Sequence, residues 1–352
     1  MKIQIIGCGL IGTSIGLRLA SLGHQVWLSD INSRNLALAK DLIPNSVAEP
    51  EVFDLIVIAT PVKVIKEVLK SLKSFNENST VIDIGGLKSK LLVDVATFPD
   101  ILKIFVSAHP MAGREFVGPE NARADLFEDR AWLLTFTPEV EPHCVEMAKR
   151  IGLELGATTY ILTAEEHDSA IAAISHMPQI ISSLMGALIA GESESALNLA
   201  GQGLRDVSRL ANSEGLMWSD LLIENSEKIL PRIKLSIDLL QKLYADLSTK
   251  DIEGVVEFLA AGKSGRKRIP GKHGAKPRDY SYLPIVIDDK PGQLARIFEE
   301  CALCEVNVED LTIEHSPNQE RGLITLALSR SDAEKLKNHL HNKGWLAQEI
   351  QS

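Results

Sequence analysis

Cysteine is scarce in this chain: four among 352 residues, at positions 8, 144, 301 and 304. They are too few and too scattered for a disulfide framework, and the lone CxxC of Cys301 and Cys304 has no second pair or histidines beside it. The expectation is buried small side chains and no metal site. Aromatic residues are only 5% and the formal net charge is −10. That balance excludes a nucleic-acid binder, whose affinity rests on Lys and Arg at phosphates. No run of about 18 uninterrupted apolar residues occurs, so no membrane span is expected. The apolar stretch after Lys2 is broken by glycines and by Arg18, unlike a signal peptide. A cytoplasmic protein is the resulting expectation.

What is present is ordinary for globular domains: 45% hydrophobic and 24% charged residues, with length for two or three domains. Lys2–Ile6 reads as a buried strand, followed at once by Gly7-Cys8-Gly9-Leu10-Ile11-Gly12 and then by helical periodicity through Ile15, Leu19 and Leu22. A second strand ends at Asp30. Strand, glycine turn, helix, strand and acidic residue form the context that a GxGxxG motif needs to bind a dinucleotide. Gly7 serves the tight turn, Gly9 the close approach of the pyrophosphate, and Gly12 helix-on-strand packing. The phosphates meet the N–H groups of Leu10 and Ile11 at the helix start. Asp30 suits a ribose 2′-hydroxyl and repels a 2′-phosphate, favouring NAD over NADP. Arg34 reads as a solvated surface residue. Further strands are expected over 55–59, 81–84, 104–107 and 132–135. Thr60-Pro61 ends one of them facing the cofactor, and Gly85-Gly86 ends another, either beside the nicotinamide or as a plain turn.

The strand before Ser107-Ala108-His109-Pro110-Met111-Ala112-Gly113 places His109 at a carboxyl end, where open α/β sheets bind ligands. A histidine there can exchange a proton near neutral pH, although a His-Pro pair alone is more often a capped loop. From residue 164 to 261 the pattern is helical, over 164–175, 178–190, 193–200, 206–211, 216–243 and 252–261. Its apolar faces exceed what one layer needs, so a homodimer is expected. Two clusters carry potential chemistry here. One is His167-Asp168 with Ser175-His176-Met177-Pro178-Gln179; the other is Gly203-Leu204-Arg205-Asp206-Val207-Ser208-Arg209. Arg209 has the planar fork for a carboxylate; read alone, Arg209 with Asp206 is more readily a surface ion pair, and His176 a hydrogen-bonded core histidine. Residues 262–280 read as a basic flexible linker. Residues 281–352 alternate as βαββαβ, a ferredoxin-like unit.

With its Asp-x-Pro-Gly turn and Asn307 opening the second strand, that last unit resembles an ACT domain. The resemblance implies amino-acid binding at Asp289, Gly292 and Asn307; a structural dimerisation module is the alternative. The whole chain resembles prephenate/arogenate dehydrogenases with a C-terminal ACT domain. The resemblance is carried by His109-Pro110-Met111-Ala112-Gly113-Arg114-Glu115, by Ser175-His176-Met177-Pro178, and by Gly203 through Arg209 with Met217-Trp218. It implies a Rossmann domain (1–163), a helical substrate and dimerisation domain (164–261) and a regulatory domain (281–352). It also implies NAD-dependent oxidative decarboxylation of prephenate, or of arogenate, toward tyrosine, with tyrosine as the expected effector. His109 matches the catalytic base, Arg209 the carboxylate-binding arginine, Asp206 its acidic neighbour and Glu115 a residue at the site's edge. Many members have serine where Gly86 stands and histidine where Gln179 stands, which leaves prephenate and arogenate both open. A hydroxyacid dehydrogenase or imine reductase, and a non-catalytic amino-acid sensor on this scaffold, are the competing readings.

Overall fold

In a computed structural model, residues 1–45, 47–112, 118–269, 280–314 and 321–351 are described. The chain divides into two compact units, Met1–Gln241 and Lys242–Ser352. The first is built on strands β1 (Lys2–Ile6), β2 (Gln25–Ser29), β3 (Leu55–Ile58), β4 (Thr80–Asp83), β5 (Phe105–Pro110), β6 (Ala131–Thr135) and β7 (Thr158–Ile161). They form one sheet in the order β2-β1-β3-β4-β5-β6-β7. β1 to β5 run parallel and β6 turns antiparallel against β5. Helices α1 (Leu10–Ser21), α2 (Ser33–Leu42), α3 (Val62–Ser71), α4 (Ser89–Val95), α5 (Pro99–Leu102) and α6 (Pro142–Glu154) connect them. This is the Rossmann-like α/β arrangement expected from the alternating pattern. All four residues of β3, Leu55-Ile56-Val57-Ile58, are buried, as a central parallel strand covered on both faces requires. β7 is absent from the expected strands: its Thr-Thr-Tyr-Ile sequence is short, half polar and mostly exposed at the sheet edge.

The helical part follows as α7 (Ala164–Ile171), α8 (Met177–Ile189), α9 (Glu194–Leu197), α10 (Gln202–Ser208), α11 (Gly215–Glu224) and α12 (Ser226–Thr249). Three local facts differ from the sequence pattern. A π-helical stretch, Ala172–His176, joins α7 to α8 into one continuous helix. By length and composition Ala164–Ile189 is apolar enough to cross a membrane. It nevertheless carries Asp168, whose carboxylate is bonded to the backbone of the sheet domain. Finally, the helix expected over 216–243 breaks at Asn225.

In the second unit, α13 (Ile252–Lys267) extends past residue 261, so the first part of the expected linker is helical. Its residues 270–279 lie outside the described ones. Then come β8 (Ser281–Asp288), α14 (Gln293–Leu303), β9 (Asp310–Glu314), β10 (Arg321–Leu328), α15 (Arg330–Asn342) and β11 (Leu346–Ala347). The sheet order is β11-β8-β10-β9, wholly antiparallel. Leu283, Ile285, Ile324, Leu326 and Leu336 make its core.

Strand register separates the candidate effector residues. Arg321 pairs Asp288, whereas Ala327 pairs both Tyr282 and Asp310. Asp289 and Gly292 therefore lie at one end of the sheet and Asn307 at the other, roughly 20 Å apart at about 3.3 Å per residue. Within one chain they do not form a single site.

Gly12 is pinned by packing: a Cβ there would fall 2.1 Å from the Gly7 carbonyl oxygen, whereas one on Gly9 meets nothing within 4 Å. Gly12→Ala is expected to destabilise by at least ~1–3 kcal/mol, while Gly9→Ala leaves the melting temperature close to wild type. Equal melting temperatures for the two variants contradict this packing.

Candidate active site

The glycine loop sits at the switch point of the sheet, where β2 and β3 flank β1 on opposite sides and open α/β sheets place their ligands. Gly7, at φ +103°, could not carry a Cβ, which would fall 2.5 Å from the Ala59 carbonyl oxygen. Gly9 caps α1 without any side-chain hydrogen bond, leaving the first-turn N–H groups, including those of Leu10 and Ile11, aimed out of the helix end. Asp30 Oδ2 accepts from Cys8 N at 2.6 Å and its Oδ1 from Asn32 N at 2.7 Å. The carboxylate thus holds the loop while retaining lone pairs for a ribose hydroxyl. Thr60 Oγ1 is buried with no hydrogen-bond partner among the described residues, and Pro61 caps α3 beside it. A loop with open space over Gly9, an uncapped helix start and an orphaned hydroxyl fits a dinucleotide.

Two strands from β1, the end of β4 carries a buried ion pair that reaches across to β5. Lys88 Nζ donates to Asp83 Oδ2 at 2.9 Å, to the Gly85 carbonyl at 2.7 Å and to the Ala108 carbonyl at 2.7 Å. Both charged side chains are fully buried. Asp83 also accepts from Ser107 Oγ and from Gly85 N, so every strong partner is satisfied, as such a pair requires. Burial pushes the Lys88 ammonium down while Asp83 pulls it back up. The bond to Ala108 fixes the backbone immediately before His109.

His109, near the end of β5, has Nδ1 2.9 Å from His167 Nε2, and His167 Nδ1 is 2.8 Å from Asp168 Oδ1. Asp168 also accepts from Lys88 N at 3.0 Å and Ser89 N at 2.8 Å. Burial would raise the Asp168 carboxyl, but these bonds from His167, Ser89 and Lys88 outweigh it and hold the group at about 2. An ionised carboxylate only accepts, so His167 carries its proton on Nδ1 and offers a lone pair on Nε2. His109 must then donate from Nδ1, which leaves the lone pair of its Nε2 free. Burial first, then the Lys88 charge, lowers the His109 pKa well below its ordinary value. His109 is therefore a neutral acceptor at pH 7.

Gly86 lies against that lone pair. A Cβ built on it would be 3.9 Å from His109 Nε2 and 3.3 Å from Leu221 Cδ2. α11 closes this side, with Leu221 at Gly86 and Trp218 edge-on to His176, ring centroids 5.9 Å apart. At about 100° per residue, the eight steps from Asp168 to His176 would turn the two roughly 80° apart. The wider π turns of residues 172–176 unwind that difference, and His176 is buried on the Asp168 side. Asn225 Nδ2 donates to the Asp168 carbonyl at 2.9 Å and lies 3.2 Å from His176 Nδ1. Burial lowers the His176 pKa to about 4.

Of the remaining candidates, Gln179 lies on α8, Asp206 on α10 and Arg209 at the start of the 3₁₀ turn Arg209–Asn212. Gln179 is buried and fully engaged: Nε2 donates to the Leu210 carbonyl at 2.9 Å and to Ser183 Oγ at 3.3 Å, and Oε1 accepts from Ser213 Oγ at 3.3 Å. It braces the turn that begins with Arg209. Arg209 and Asp206 are exposed, and Asp206 Oδ1 accepts from Gln202 Nε2 at 2.7 Å. Gly113, Arg114 and Glu115 lie outside the described residues. In the second unit, Gly292 caps α14 at φ +88°, Asp289 is exposed and Asn307 Nδ2 donates to Glu309 at 3.0 Å.

The structure thus joins His109, Gly86 and His176 through the His167-Asp168 pair, which the sequence marks only as a cluster of potential chemistry, and through Lys88 and Asn225, to which the sequence gives no role. A lone lysine after the glycines of a strand end, and an acidic residue closing an apolar strand, are the available signals for Lys88 and Asp83.

All three histidines have lowered pKa values, burial being the first cause in each. The unfolded chain takes up their protons near pH 6.5 and the native state does not. Stability is therefore full above about pH 6.5 and falls below it, each histidine contributing a slope of at most about 1.4 kcal/mol per pH unit. For His176 the loss continues to about 4. Melting temperatures between pH 7.5 and 5 should fall along this slope, more shallowly in His176→Asn; an unchanged slope contradicts burial of a neutral ring.

Comparison with known proteins agrees with this arrangement. Residues 15–162 match the family model for the prephenate dehydrogenase nucleotide-binding domain, and residues 163–261 the model for the prephenate dehydrogenase dimerization domain. The chain is 30% identical to the probable prephenate dehydrogenase NovF of Streptomyces niveus, over 97% of this chain and 98% of that one. It is 29% identical to the prephenate dehydrogenase of Lactococcus lactis subsp. cremoris, over 94% of each. Among solved structures, Aquifex aeolicus prephenate dehydrogenase in complex with hydroxyphenyl propionate and NAD+ superposes with a TM-score of 0.68 at 27% identity, covering 77% of this chain and 99% of that one. With both domain models matched in order and a relative aligned along nearly its whole length, the chain belongs to the prephenate dehydrogenase family.

Proposed function

We propose that the protein is an NAD-dependent prephenate dehydrogenase, converting prephenate to 4-hydroxyphenylpyruvate in tyrosine biosynthesis. The observation that carries the reading is the free lone pair of His109 Nε2, set by the Asp168–His167 relay at the carboxyl end of β5. The loop of Gly7, Gly9 and Gly12, with Asp30, Thr60 and Pro61, would hold the cofactor. NAD+ bound there supplies the hydride acceptor. His109 Nε2 takes the proton of the substrate's ring hydroxyl, a contribution worth about 10²–10⁴-fold. Nδ1–H stays on His167, so the imidazolium formed is stabilised through Asp168 without a second proton moving. As the hydroxyl carbon gives up its hydride, the ring carboxylate leaves as carbon dioxide, the ring becomes aromatic and the imidazolium returns its proton to the ring oxygen; loss of carbon dioxide and aromatisation make the reaction irreversible.

In this reading Arg209 pairs with a substrate carboxylate, braced by Gln179 through Leu210, with Asp206 as its acidic neighbour in the chain. Gly86 leaves His109 without the serine common in the family. A hydroxyl bond lost in this way costs on the order of 1 kcal/mol. The exposed apolar residues Ile181, Leu184 and Leu188 of α8 support a homodimer formed through the helical domain of residues 164–261. The βαββαβ unit of residues 281–352 supports the ACT reading, with tyrosine as effector. Because Asn307 lies at the opposite sheet end from Asp289 and Gly292, an effector site using all three would need two copies of the unit.

NADH formation at 340 nm, with prephenate and arogenate in parallel, tests this reading. Prephenate turnover is expected, and no turnover of either substrate by protein that binds NAD+ overturns it. His109→Ala should lower kcat by about 10²–10⁴-fold and Arg209→Ala should chiefly raise KM; an unchanged KM removes Arg209 from carboxylate binding. Truncation before residue 281 should abolish tyrosine inhibition, and inhibition that survives it places the effector elsewhere.

A further inference from the structure

Asn225 interrupts what the sequence pattern reads as one long helix, capping α11 at φ −98°, ψ 18°, and its side chain is buried. Its amide lies between two groups that leave it no freedom. The Asp168 carbonyl oxygen can only accept, so the Asn225 atom 2.9 Å from it is the NH₂ nitrogen. The second hydrogen of that nitrogen faces His176 Nδ1 at 3.2 Å. A ring nitrogen that receives an N–H must hold a lone pair, and a neutral imidazole then carries its only hydrogen on Nε2. Nε2 of His176 makes no hydrogen bond with the described residues. His109, 2.9 Å from His167, is the reverse case: hydrogen on Nδ1, lone pair on Nε2. The side chain of Asp168 sets one ring and its backbone carbonyl, through Asn225, sets the other.

We propose that Asn225 is a positioning residue that fixes His176 as an Nε2–H donor, making His176 a recognition element for an oxygen acceptor on the substrate, a carboxylate or carbonyl. This rests on the dehydrogenase reading of the site. The site then presents one acceptor, His109, to the hydroxyl that loses a proton, and one neutral donor, His176, to an oxygen that keeps its electrons. A donor that stays neutral does not compete with His109 for protons across the working pH range.

The tautomer is read directly from solid-state ¹⁵N spectra of histidine-labelled wild-type protein, with His176→Asn supplying the assignment. A protonated Nε2 and bare Nδ1 on His176 are expected; a protonated Nδ1 overturns the proposal. Asn225→Asp puts an acceptor where the donor stood and should move the hydrogen to Nδ1. It should raise KM for prephenate about tenfold or more, with a smaller change in kcat. Asn225→Leu removes the donor and should raise KM in the same direction. Wild-type KM in both variants overturns the recognition role, as does a moved hydrogen without a KM change. If neither variant folds, the wild-type spectrum decides. The spectra need no substrate, so failure of the dehydrogenase reading, seen as no NADH from either substrate, stays distinguishable from failure of this one.

Discussion

The Asp168 carboxylate accepts from Lys88 N, Ser89 N and His167, while the carbonyl of the same residue accepts from Asn225. These four bonds join the turn after β4, the start of α4, helix α7 and the break between α11 and α12. The charge matters as much as the geometry. Because three donors point at it, Asp168 stays ionised despite burial, and an ionised acceptor at this position dictates which nitrogen of His167, and then of His109, carries hydrogen. A protonated or neutral group would leave both rings free to take either tautomer, and only one of these presents a base to the substrate.

Lys88 links that electrostatic arrangement to the sheet. Its backbone N–H belongs to Asp168, and its side chain belongs to Asp83, Gly85 and Ala108. One residue therefore ties the turn after β4 to β5 at the position immediately before His109. The buried positive charge also opposes protonation of His109, so the group that positions the base helps to keep it empty. Removing a partner of a buried pair leaves an uncompensated charge, which is strongly destabilising. Catalytic geometry and domain stability are thus hard to separate at this point in the molecule.

Features set by near neighbours in the chain are legible from the amino-acid sequence alone. The glycine loop, β1, α1 and Asp30 lie within thirty residues, and their roles follow from turn sterics and helix ends. His109 is legible as a strand-end residue, and the βαββαβ order of the second unit from its alternation. What cannot be read joins distant segments or depends on a helix detail. His109 meets His167 across 58 residues, and hydrophobic periodicity carries no record of which ring nitrogen holds a proton. The π turn and the stop at Asn225 are invisible to a 3.6-residue pattern, since apolar residues continue on both sides. Gln179 is a brace whose amide is spent on Leu210, Ser183 and Ser213. Asn307 reads as a partner of Gly292 when the unit is taken as a line; strand register puts them at opposite ends.

The measurement that bears most directly on this account is steady-state NADH formation by Asp168→Asn, an isosteric change that removes the charge and leaves the sheet residues in place. NAD+ affinity should be retained, because the glycine loop is untouched. kcat should fall by about 10²–10⁴-fold, the scale of general-base catalysis, since the amide carries no charge and can accept at only one of the two atoms that the carboxylate uses to order the protons of His167 and His109. A variant that binds NAD+ and turns over prephenate at the wild-type rate would contradict the relay and leave His109 to act, if at all, without it.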